Sequence, residues 1–76
     1  PFNPNTIIRF KIKDLRLVTL KVYDILGREV ATLVNEKLAP GTYEATFDAS
    51  KYSSGVYFYS LETQSYKETK KMLMIK

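Results

Sequence analysis

The stretch 18–34, VTLKVYDILGREVATLV, sets two runs rich in β-branched and apolar residues on either side of one turn, Asp24-Ile25-Leu26-Gly27. That arrangement predicts a β-hairpin. Asp24 suits the first position of a type I turn, because its carboxylate can accept from backbone amides further along. Gly27 suits the last, where a positive φ is cheap only for glycine. The segments before and after read as further strands laid beside this pair.

Pro1 to Asn5 reads as an extended leader. Pro4 holds Asn3 in β or polyproline geometry, and Phe2 is placed as a plug under the fold. From Thr6 the pattern alternates. Thr6, Ile8, Phe10 and Ile12 face one side, and Ile7, Arg9, Lys11 and Lys13 the other. That is a half-buried strand. A second strand over 16–23 points Val18, Leu20 and Val22 inward. A third, over 28–34, alternates poorly: Val30, Leu33 and Val34 cannot share one face without a bulge or an edge position. The stretch 35–40 reads as a polar connection ending in the Pro40-Gly41 turn. A fourth strand, 42–47, puts Tyr43, Ala45 and Phe47 inward. The segment 48–54 is a loop or one short helical turn, with Asp and Ser favouring local backbone bonds. Gly55 opens a fifth strand, 56–62, apolar on both faces and so central or doubly covered. After Thr63-Gln64-Ser65 a sixth runs from Tyr66 to Ile75. The expected fold class is all-β: one Ig-like antiparallel β-sandwich domain of about six or seven strands spanning residues 1–76.

Seventy-six residues bury only roughly 60% of their unfolded surface, so the core must supply nearly all the stability. With no cysteine, no disulfide assists it. The absence of histidine as well removes the commonest general base and the commonest strong nucleophile. Catalysis is not expected, and no catalytic, cofactor-binding or metal residue is assigned. A net charge of +4 is ordinary for a small surface. No basic stripe interleaved with aromatics marks a nucleic-acid partner. No apolar run reaches the ~18 residues that would span a membrane as a helix. No charged-then-apolar start reads as a signal peptide, and Pro1-Phe2-Asn3-Pro4 looks like the middle of a longer protein.

Three features carry open readings. Tyr52, Tyr57, Tyr59 and Tyr66 are either core and cross-strand packing or a carbohydrate-binding platform. Ile25 and Leu26 are apolar at a turn tip, where polar residues are usual. Either they fold back to close the end of the sandwich, or they form an exposed docking patch. Lys67, Lys70, Lys71 and Lys76 make the last strand basic. Either they block edge aggregation, or they are a recognition element.

Several blocks together resemble one family. Residues 1–10, PFNPNTIIRF, are similar to the opening of the type A C-terminal sorting domain of the type IX secretion system. So are 22–30 (VYDILGREV), 39–43 (APGTY), 54–59 (SGVYFY) and the lysine-bearing end 69–76 (TKKMLMIK). The match covers essentially the whole chain, in order. The family's usual Tyr-Pro-Asn-Pro lead-in would lie before Pro1. The resemblance implies an Ig-like module at the end of exported cargo, in a Gram-negative bacterium. It implies passage through the periplasm and outer membrane to a secreted or cell-surface destination. The partners it implies are the outer-membrane translocon, the sortase that removes the module, and the cargo domain preceding it. Its signal blocks map onto Asp24, Ile25, Leu26 and Gly27, onto Gly55, Val56 and Tyr57, and onto Lys70, Lys71 and Lys76. Two other readings stand beside it. One is an Ig-like structural module that self-associates in an extracellular fibre. The other is an accessory domain of a larger secreted protein, in which the tyrosines bind carbohydrate.

Overall fold

The structure is a computed structural model that describes residues 5–65 and 67–74. Six strands are present among them: β1 (Asn5–Ile12), β2 (Arg16–Tyr23), β3 (Glu29–Leu38), β4 (Gly41–Asp48), β5 (Gly55–Glu62) and β6 (Lys67–Met74). They form two antiparallel sheets, β1-β4 and β3-β2-β5-β6, stacked as a sandwich. The expected leader segment 1–4 with Phe2, the strand start at Tyr66, and Ile75 and Lys76 lie outside the described residues.

The alternation in sequence becomes the core. On β1, Ile8, Phe10 and Ile12 are buried while Ile7, Arg9 and Lys11 are exposed. On β2, Val18, Leu20 and Val22 are wholly buried. Each such side chain contributes roughly 1.5–3 kcal/mol relative to remaining in water. The core has two adjoining halves. One joins Ile8, Phe10 and Ile12 to Val18, Leu20 and Leu61. The other joins Val22 to Phe47, Ala49, Tyr57 and Met74. Phe47 carries the small sheet into the second half, its ring stacked on Tyr52 at 5.5 Å and tilted against Tyr57 at 6.3 Å.

β3 resolves its irregular pattern with two bulges. Leu20 pairs with Val34 but Lys21 with Thr32, which leaves Leu33 as an extra residue. Val22 pairs with Ala31 but Tyr23 with Glu29, which leaves Val30 extra. Two neighbours can then turn inward together, and Leu33 and Val34 both pack on the first half of the core. The strand also runs on to Leu38, past the expected connection at Asn35. Asn35, Glu36 and Lys37 pair with Thr19, Val18 and Leu17. These polar residues sit on an edge strand whose side chains stay wet, so no alternation betrays them. Asn5, read as leader, already pairs with Asp48. β5 is central, between β2 and β6. The segment 48–54 forms a hydrogen-bonded turn, with Tyr52 N donating to Ala49 O and Ser50 N to Asp48 Oδ1.

Candidate functional site

The hairpin between β2 and β3 is held by one carboxylate. Asp24 Oδ1 accepts from the backbone amides of Leu26 and Arg28, both at 2.9 Å, and Oδ2 from Arg28 Nε at 2.8 Å. Gly27 N donates to Asp24 O, and Asp24 N to Arg28 O. Gly27 takes φ +83°, the left-handed residue that follows a type I turn in a three-residue hairpin loop. The Arg28 backbone N–H is the main cause holding the Asp24 carboxyl below its ordinary range. Desolvation opposes it as the next largest influence, and the Arg28 side chain and the Leu26 amide add further lowering.

This scaffold lifts two apolar side chains clear of the fold. Ile25 is 68% exposed and Leu26 74%. The reading in which they fold back to close the sandwich is therefore overturned. The Asp24-bonded turn projects both side chains past the end of the sheet, where neither joins either half of the core. A shallow groove of about 250 Å³ runs between the tip and the start of β5, with Ile25 and Leu26 on one wall and Gly55 and Val56 on the other. Tyr57 also lines it but is buried, its hydroxyl donating to Ser53 O at 2.8 Å.

Strand register extends this end across the outer face of the large sheet. Tyr23 sits opposite Phe58, and Phe58 opposite Lys71. The next outward pair is Val56 with Leu73, and Leu73 is 65% exposed. The result is a strip of Tyr23, Phe58, Val56 and Leu73 beneath the Ile25–Leu26 tip. The other half of this face is polar, with Lys21, Ser60 and Thr69 in one row and Thr19, Glu62 and Lys67 in the next.

Asp24, Ile25 and Leu26 of one sequence-selected block thus meet Gly55, Val56 and Tyr57 of another in one groove, while Gly27 serves the turn. The third divides. Lys71 stands on the outer face beside Phe58, with no ion pair among the described residues. Lys70 points the other way, into the seam between β1 and β6, which is floored by Phe10, Leu20 and Leu61. There its Nζ lies 3.9 Å from Glu68 Oε1. Lys76 lies outside the described residues. Sequence reasoning left Tyr23, Phe58 and Leu73 out of the site. Their outward position was readable from alternation, but their adjacency depends on register.

Among the described residues, Tyr52, Tyr57 and Tyr59 do not form an exposed platform. Tyr52 and Tyr57 pack against Phe47 and each other, and the Tyr52 hydroxyl donates to Val30 O at 2.9 Å. Tyr59 packs on the core. Tyr66 lies outside the described residues.

Searches of curated proteins and of solved structures found no match to the chain. The family model for the secretion system C-terminal sorting domain matches residues 1–76, the full span over which the motif blocks run. The chain belongs to the family of type IX secretion C-terminal sorting domains.

Proposed function

We propose that this domain sorts the protein carrying it by presenting a recognition surface to the secretion machinery. The surface is the end of the sandwich where the Ile25–Leu26 tip, the Gly55–Val56 edge and the Lys71–Leu73 outer row converge. The observation that carries this reading is the tip itself. Two large apolar side chains are held in water by a rigid, Asp24-clamped turn, although they contribute nothing to the core. Exposed apolar groups of this kind mark contact surfaces. In this reading the core keeps the surface in shape, and the outer-membrane translocon and the sortase are the readers. The cargo passes through the periplasm to the cell surface or beyond.

The test is a periplasmic reporter fused ahead of residues 1–76 in a strain that has the secretion system. The unaltered fusion is expected outside the cell. The double substitution Ile25→Ser and Leu26→Ser is expected to leave the reporter in the periplasm while circular dichroism and thermal midpoint stay unchanged, since both side chains are already exposed. Unimpaired export of that variant would remove the tip from the signal. Retention of the unaltered fusion would remove the sorting role from this segment.

A further inference from the structure

We propose that the far edge of β6 is a strand-addition site for an extended partner segment, apolar at its start and acidic toward its end. The proposal rests on the recognition reading above for its biological setting and on the edge geometry for its content.

The large sheet has two edges among the described residues, and they differ. The β3 edge carries two bulges, which break the ladder and twist an edge away from any incoming strand. The β6 edge is regular. Its residues pair with β5 without a register shift from Gly55↔Met74 to Glu62↔Lys67. Such a strand turns alternate N–H and C=O groups away from its neighbour, and those groups form a template for another chain.

The side chains along this edge specify what fits. The basic part is 67–71, KETKK, with three lysines against one glutamate. Lys67, Thr69, Lys71 and Leu73 face outward. Lys70 faces the seam on the opposite side of the sheet. The apolar part is Met72, Leu73 and Met74. A second copy of the strand is a poor occupant, because β6 against β6 sets lysine near lysine and opposed like charges destabilise a pair. The same lysines favour carboxylates on a different chain, so one set of charges excludes self-pairing and selects the partner. The sheet is antiparallel throughout, and antiparallel pairs are the more stable. The incoming segment therefore starts with apolar residues opposite Leu73 and Met72 and ends with acids opposite Lys71, Lys70 and Lys67.

The probe is a synthetic octapeptide, Val-Val-Val-Glu-Glu-Thr-Thr-Glu, whose acids fall opposite Lys71, Lys70 and Lys67 when it lies antiparallel to β6. The control replaces each glutamate with lysine. Both are titrated into the isotope-labelled 76-residue chain and followed by amide NMR and hydrogen exchange. The acidic peptide is expected to shift amides over 67–74 and to slow exchange at alternate residues there. Its affinity is expected to fall with salt, and to fall by about tenfold in Lys70→Glu with Lys71→Glu. If that pair disturbs the fold by circular dichroism, Lys71→Gln alone is used, with a smaller loss expected. Absence of shifts, shifts centred on β3 or on the tip, or equal affinity for the lysine control would each overturn the proposal. Peptide binding is read without any secretion system. Its failure therefore counts against the edge alone, and export of the Ile25→Ser, Leu26→Ser fusion counts against the sorting surface alone.

Discussion

Substituting Gly27 isolates what the hairpin owes to one backbone angle. At φ +83° an added Cβ meets no atom within 4 Å, so Gly27→Ala introduces no clash beyond the residue itself. What remains is the cost of holding an L-residue in the left-handed region, roughly 1–2 kcal/mol. Alanine also narrows the unfolded ensemble, which returns about 0.4–1 kcal/mol. The net loss is about 1 kcal/mol. In a domain of this size that lowers the thermal midpoint by roughly 4–8 °C. The assay is reversible thermal unfolding followed by circular dichroism. Two companions sharpen it. Gly27→Asn should lose less, because asparagine tolerates this region. D-alanine at the same position, accessible by chemical synthesis, should raise the midpoint, since its preferred φ is positive and it too restricts the unfolded chain. The reasoning is refuted if L-alanine is neutral, or if D-alanine destabilises as much as L-alanine.

Three further outcomes are expected. The Asp24 carboxyl should titrate below its ordinary value of 3.8, read from its carbon shift by NMR. Because the folded pKa is the lower one, its stabilisation is complete above the unfolded value and is lost as pH falls through the folded one; Asp24→Asn should flatten the thermal midpoint over that range. Ser60 is 3% exposed, and its hydroxyl has no partner among the described residues, so Ser60→Ala should stabilise by about 1 kcal/mol and raise the denaturant midpoint without changing the slope. Phe47→Ala removes a ring 2% exposed that joins both sheets, and a loss of about 3–5 kcal/mol should leave the domain largely unfolded by one-dimensional NMR at 37 °C; a well-dispersed spectrum would contradict the core described here.

Features governed by neighbouring residues were legible in the sequence. The Asp24–Gly27 hairpin, the inward sides of β1 and β2, and the need for a bulge or an edge position in the third strand all follow from local pattern and turn chemistry. Features governed by partners were not. Nothing local says that β1 pairs with β4 and leaves β2 to the other sheet. The tail of β3 was hidden because Asn35, Glu36 and Lys37 are polar on an exposed edge. Ala49 is wholly buried in a segment of turn residues, where its small side chain gives no signal. The candidate site shows the same division. Its blocks were visible one by one. That Val56 faces Leu73 and that Phe58 links Tyr23 to Lys71 are properties of register, whereas the parting of Lys70 from Lys71 follows from strand alternation alone. The fate of Ile25 and Leu26 was undecidable beforehand, since the same turn serves a buried or an exposed tip.

The placement of the outermost strands has a mechanical consequence. β1 and β6 belong to different sheets, and no backbone ladder joins them. Where they approach, the contact runs through side chains, such as the Thr6 hydroxyl donating to Met74 Sδ at 3.2 Å. Tension applied between residues 5 and 74 is therefore borne by apolar packing and isolated contacts. It does not load a row of hydrogen bonds that would have to break at once. The small sheet should part from the large one at low force, and β1 should then unzip from β4 pair by pair starting at Asn5↔Asp48, visible in optical-trap extension as early low-force lengthening. A domain built this way holds its shape in solution yet yields readily when it is pulled by its ends.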